Sequence, residues 1–189
     1  MTRVIGGAAG GRRLSVPPGD GTRPTSDRAR EGLFSTLVSL RRTFHGARVL
    51  DLFAGSGAVG LEALSRGAAH TLLVEADPAA AKAVRANIAA VKLPGAELRA
   101  ARTERMAAEP APGEPYDIVF LDPPYALPAA DVAGLLTELA AHGWLADDAL
   151  AVVERATRDA AFAWPAGFAE IRSRRYGEAT LWYGRAARA

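Results

Sequence analysis

The 189 residues suit one domain with a small appendage, 49% hydrophobic content supports a full core, and no run of 18 apolar residues offers a transmembrane helix. The chain has no cysteine, which excludes disulfides, thiolate zinc sites and a cysteine nucleophile, and His45, His70 and His142 are scattered without ligand spacing, so no metal is expected. The net charge of +2 hides an asymmetry: residues 1–48 carry nine arginines against Asp20, Asp27 and Glu31, a balance of +6, while the remainder is −4, which points to a polyanion at one end.

Residues 1–24 are rich in Gly and Arg and read as a basic arm or short hairpin, with residues 25–189 as the main domain. Thr25 to about Leu40 predicts a helix, with Thr25, Ser26 and Asp27 as capping candidates and Leu33, Phe34, Leu37, Val38 and Leu40 as its apolar face. From Arg48 the pattern alternates. Strands are predicted at 48–53, 70–75, 96–100, 116–121 and 149–154, and helices at 58–66, 78–91, 103–108 and 128–142. Such alternation implies a mostly parallel sheet with helices on both faces. Two final runs, 168–175 and 178–184, flank Gly177-Glu178 and predict an antiparallel hairpin, for seven strands in the sheet. The N-terminus lacks the apolar segment of a signal peptide, so a cytoplasmic protein is expected. No apolar stripe demands a partner, so a monomer is expected.

The first strand of the alternation runs into a glycine turn, Asp51-Leu52-Phe53-Ala54-Gly55-Ser56-Gly57. Gly55, Gly57 and Gly60 have dinucleotide-fingerprint spacing, and alone the segment could bind a dinucleotide. An acid before the loop argues otherwise, because it would repel a pyrophosphate. S-adenosylmethionine has no phosphate, and Asp51 with the loop carbonyls can accept hydrogen bonds from its ammonium. Phe53, Ala54, Gly55 and Gly57 line this candidate site. Glu75 ends the second strand, where an acid can take both ribose hydroxyls. Ala76 follows it, and Asp77 before Pro78 reads as a helix cap. After the third strand, Arg102 and the backbone of Thr103 are the candidate neighbours of the adenine.

Asp122-Pro123-Pro124-Tyr125 closes the apolar run 116–121. Asp-Pro also marks plain turns. An acid, two prolines without N–H groups and an aromatic ring are nevertheless good material for gripping an amino-bearing base. Asp122 and the Pro123 carbonyl can accept the amine hydrogens, and Tyr125 can stack.

The glycine turn, the acid after strand two and Asp122–Tyr125, in that order, resemble class I Rossmann-like S-adenosylmethionine-dependent methyltransferases acting on exocyclic amino nitrogens. Three segments sharpen the resemblance: Arg3-Val4-Ile5-Gly6-Gly7, Gly11-Arg12-Arg13-Leu14, and Arg23 through Glu31. They look like the arm of the RsmD-type 16S rRNA guanine-N2 methyltransferases, and Phe53 through Arg66 and Gly143-Trp144-Leu145-Ala146 are also similar to that family. The resemblance implies S-adenosylmethionine as cofactor, and Asp122, Pro123 and Tyr125 as catalytic residues, Asp122 also lying beside the cofactor. It implies 16S rRNA as partner, free or within a small subunit or its assembly intermediate. Arg3, Arg12, Arg13, Arg23, Arg28 and Arg30 are the candidate phosphate contacts, with Arg172, Arg174 and Arg175 of the final hairpin as additions. An adenine-N6 methyltransferase acting on DNA or RNA, and a non-catalytic RNA-binding module on the same core, are the alternatives.

Overall fold

The computed structural model describes residues 2–18 and 25–188. Seven of its strands form one sheet in the order β5-β4-β3-β6-β7-β9-β8, and β1 and β2 form a separate pair. This is the mostly parallel sheet with an antiparallel C-terminal hairpin that the sequence predicts. The chain divides into two compact units, Met1–Ala101 and Arg102–Ala189.

In the first unit, β1 (Thr2–Arg3) pairs antiparallel with β2 (Arg13–Leu14). Helix α1 (Asp27–Arg41) follows, and the Ser26 hydroxyl caps it by accepting from the Ala29 amide at 3.1 Å. Leu33, Phe34 and Leu37 are buried as expected, but Val38 sits at the solvent edge of the stripe, 40% exposed. Strands β3 (Arg48–Leu52), β4 (His70–Val74) and β5 (Ala96–Arg99) are parallel neighbours. Val49, Leu50, Leu52, Leu72, Leu73 and Val74 are all buried, the mostly apolar pattern of strands covered on both faces, broken in β3 by buried Asp51. Helices α2 (Ala58–Ser65) and α3 (Pro78–Val91) connect them. Asp77 caps α3 by accepting from the Ala80 amide at 2.7 Å, with Pro78 in the first turn, as predicted.

The second unit holds α4 (Thr103–Ala107), β6 (Tyr116–Leu121), α5 (Ala129–Ala141), β7 (Leu145–Ala156), β8 (Phe168–Tyr176) and β9 (Ala179–Ala186). β6 runs parallel to β7, and β9 is antiparallel to both β7 and β8. β7 begins four residues earlier than the sequence predicts. Its register to β6 shifts between Tyr116↔Leu145 and Ile118↔Leu150, and Asp148 takes φ 60°. Ala146-Asp147-Asp148 reads as a polar loop, but the strand absorbs it as an irregularity. Trp144, fully buried, stacks on Tyr116 at 6.3 Å and donates its indole N–H to the Glu109 carbonyl at 2.8 Å.

Candidate functional site

After β3 the backbone of the first unit turns through three left-handed residues: Phe53 at φ 60°, Gly55 at 59° and Gly57 at 79°. Phe53 there is strained, a conformation that persists only where its surroundings impose it and that gathers at ligand sites. The turn is tied down by Ala54 N–H to the Val74 carbonyl at 3.0 Å and Gly57 N–H to the Ala54 carbonyl at 2.7 Å. A Cβ built on Gly55 would meet no atom within 4 Å, so the backbone there faces open space. Gly60 differs: its Cβ would lie 2.8 Å from Leu73 and from Thr71 Oγ1. The third glycine therefore lets α2 pack against β4.

Glu75 is fixed by two backbone donors, Gly55 N–H to Oε2 at 2.8 Å and Asp77 N–H to Oε1 at 2.8 Å. A carboxylate offers about four acceptor positions, so capacity for two hydroxyls remains. Ala76 beside it is exposed. Asp51 is 2% exposed, and its Oδ2 accepts from the Gly60 amide at 2.9 Å. Burial pushes its pKa up to about 8, the Gly60 bond opposes that, and the charge of Glu75 adds to it. The residues present fit S-adenosylmethionine: an open glycine backbone beside Glu75 and Asp51, with no basic residue in the turn, suits a cation that carries a ribose.

Two polar residues that the sequence reading missed secure this half. Asn87 of α3, 1% exposed, donates from Nδ2 to the Ser56 carbonyl of the turn at 2.7 Å and to the Ser15 carbonyl at 2.9 Å. Its Oδ1 accepts from the Ser15 amide at 2.8 Å. Glu62 of α2, fully buried, accepts from the Ile5 amide at 2.7 Å, the Gly6 amide at 2.9 Å and Arg66 Nε at 2.8 Å. The signal for Glu62 was one acid inside the apolar helix 58–65. An Asn amid alanines gives no comparable signal for Asn87.

These contacts make residues 2–15 a docked element and sort the arginines. Arg30 is 1% exposed, pairs with Asp27 at 3.0 Å and donates to the Arg3 carbonyl at 2.5 Å. Its pKa is lowered by burial, with Glu62 and Asp27 opposing. It is a buried strut and cannot touch an RNA phosphate, which corrects the sequence expectation. Arg12 is exposed but donates from Nη1 to the Ala90 and Val91 carbonyls at the end of α3, at 2.8 and 3.1 Å. Arg3, with a side chain 62% exposed and 3.4 Å from Asp27, and Arg13 and Arg28 face solvent. Arg23 lies outside the described residues.

In the second unit, Arg102 precedes α4 with a side chain 79% exposed, 3.8 Å from Glu104, while Thr103 is 4% exposed. Asp122 follows β6 directly and is half-buried, Pro123 is buried, Pro124 is exposed and Tyr125 is 42% exposed. Leu127 N–H closes a turn onto the Pro124 carbonyl at 2.9 Å. Arg155 of β7, 4% exposed, donates from Nη2 to the Leu127 carbonyl at 2.9 Å and, more weakly, to the Tyr125 carbonyl at 3.4 Å. The sequence reading missed Arg155 too, although Glu154-Arg155 in an apolar strand was a visible anomaly. On the hairpin, the register pairs Arg172 with Tyr183, Arg174 with Leu181 and Arg175 with Thr180. Arg174 and Arg175 thus fall on opposite faces, so the three do not form one basic face.

Comparison with known proteins adds relatives to this geometry. Residues 2–185 match the family described as "Conserved hypothetical protein 95". The chain is 45% identical over 156 residues to Ribosomal RNA small subunit methyltransferase D of Escherichia coli (strain K12), covering 80% of this chain and 73% of the relative. It is 35% identical over 154 residues to the Haemophilus influenzae protein of the same name, covering 80% and 77%. The solved structure of yhhF from Escherichia coli superposes with a TM-score of 0.85 at 37% identity, covering 100% of this chain and 99% of that one.

Proposed function

Because the chain belongs to the RsmD-type family of 16S rRNA guanine-N2 methyltransferases, we propose that it methylates the exocyclic N2 of a guanine in 16S rRNA of the small ribosomal subunit. The observation that carries the chemistry is Asp122-Pro123-Pro124-Tyr125 closing a buried strand, with one carboxylate, two prolines that lack N–H groups and a ring that is 42% exposed. S-adenosyl-L-methionine supplies the electrophilic methyl group. Glu75 takes its ribose hydroxyls, the Phe53–Gly57 turn and Ala76 border it, and Asp51 offers a carboxyl oxygen to its ammonium. Arg102 and the Thr103 backbone border the adenine.

The guanine amine is a poor nucleophile because its lone pair is delocalised into the ring. Asp122 and the Pro123 carbonyl hold the two N–H groups, favour a pyramidal nitrogen and orient the lone pair. Positioning of this kind supplies much of the rate in a displacement. Tyr125 stacks on the base and holds it out of its own stack. As the N–C bond forms, the C–S bond breaks, and the nitrogen then sheds a proton. Arg3, Arg13 and Arg28 contact phosphates.

The substrate is rRNA within a small subunit or its assembly intermediate, and the protein acts in the cytoplasm as a monomer. Among the described residues no helix is long and apolar enough to cross a membrane. Incubation with methyl-labelled cofactor and either free 16S rRNA or unmethylated small-subunit particles, followed by nucleoside analysis, tests this reading. N2-methylguanosine is expected. N6-methyladenosine would select the adenine alternative, and no label on either substrate would select the non-catalytic one.

A further inference from the structure

We propose that Arg155 is a positioning residue for methyl transfer, holding the segment that carries Tyr125 in its working place. The inference rests on the reading that Asp122–Tyr125 grip the guanine. Residues 122–128 include Pro123, Pro124 and Pro128, none of which has an N–H. One of the remaining donors, Leu127 N–H, is committed to Pro124 inside the segment. The segment is therefore rich in carbonyls and poor in donors, and fixing it takes a donor from outside.

β7 supplies one. Its Val153 stands in register with Leu121, the residue before Asp122, and Arg155 lies two residues further on the same face. Arg155 Nη2 reaches the carbonyls of Leu127 and Tyr125, and Asp159 Oδ2 lies 3.6 Å from the same nitrogen. The other two nitrogens, Nε and Nη1, are buried without a hydrogen-bond partner. Stability alone would not select this arrangement. Buried unpaired donors are costly, and the neighbouring Ala151, Val152, Val153 and Ala156 show that the strand accommodates apolar side chains. A charged residue kept at such a place marks a functional demand on what it touches.

The test uses the full-length protein with Arg155→Met and Arg155→Lys, and 16S rRNA or small-subunit particles as substrate. Arg155→Met should keep the circular-dichroism spectrum and the affinity for S-adenosylhomocysteine. It should lower kcat about 100-fold, the scale of a misplacement of about 1 Å, with KM for RNA within about threefold. Arg155→Lys should recover about tenfold of the loss, because an ammonium can still donate to the Leu127 carbonyl. Hydrogen exchange at the Tyr125–Leu127 amides should accelerate in Arg155→Met. A folded Arg155→Met enzyme with wild-type kcat, or with unchanged exchange at those amides, overturns the proposal. If Arg155→Met does not fold, Arg155→Lys decides: a kcat about tenfold below wild type supports the role, and wild-type kcat overturns it. A wild-type protein that methylates neither RNA substrate refutes the function instead, and the exchange measurement still judges the positioning role.

Discussion

Replacing Glu62 with alanine tests the claim that the N-terminal arm is docked on the body. Glu62 is fully buried and receives the Ile5 amide, the Gly6 amide and Arg66 Nε within 2.9 Å, while Arg30 Nε stands 3.9 Å away. Its removal leaves two amides without an acceptor and the 1%-exposed Arg30 without one of its two anions. Breaking a buried ion pair from one side costs about 3–5 kcal/mol, a large fraction of the roughly 5–15 kcal/mol that stabilises a domain. Glu62→Gln retains one acceptor oxygen and should cost less, about 1–3 kcal/mol. Some of the docking survives either change, because the Ala8 and Ala9 amides still reach Ser65, and Arg12 still reaches the end of α3. Urea titration of the three proteins at one pH, with the slope compared as well as the midpoint, gives the values. A Glu62→Ala protein destabilised by less than about 1 kcal/mol, below the single hydrogen-bond scale, would refute the docking argument.

Asp122→Ala should abolish methyl transfer while S-adenosylhomocysteine still binds in isothermal titration; an active variant would sink the amine-holding role. Asp51, with a pKa of about 8 in the folded protein against the ordinary 3.8, stays protonated in the fold over a range where the unfolded chain ionises. Its contribution is therefore fully present below about 3.8 and is lost as pH rises through about 8. The wild-type urea midpoint should accordingly fall between pH 6 and pH 9 by more than that of Asp51→Asn; parallel profiles would contradict the assignment. Arg3→Ala, Arg13→Ala and Arg28→Ala combined should weaken RNA binding and flatten its salt dependence by about 2 in log–log slope, at about 0.7 per lost contact with single strands. An unchanged slope would remove these arginines from the RNA surface. Point variants suit this test better than deletion of residues 1–24, which would strip Glu62 of two of its donors.

What the sequence revealed of this protein follows the range of the forces involved. Periodicity and capping are local. The 78–91 helix, with Asp77 as its cap and Pro78 in its first turn, was readable to the residue. Asp51 just before the glycine turn, and Glu75 and Asp122 directly after their strands, were likewise written in short patterns. Strand β7 was underestimated because Asp147-Asp148 carries a loop signal that only sheet pairing overrides. The roles of Arg30, Glu62, Asn87 and Arg155 depend on partners 27 to 72 residues away, and even where a charge in an apolar element stands out, as at Glu62 and Arg155, no local pattern names its partner. Its place in the arm-like segment Arg23–Glu31 put Arg30 among the RNA contacts, since an arginine there looks the same in sequence whether it faces water or a buried glutamate. The same gap conceals the purpose of the prolines. Read locally, Pro123 and Pro124 remove donors so that carbonyls can face a base; read with Arg155, the missing donors also create a need for outside support, which β7 meets. A glycine turn and a strand-end motif can thus be found by pattern, whereas the residues that hold them still emerge only from the packing.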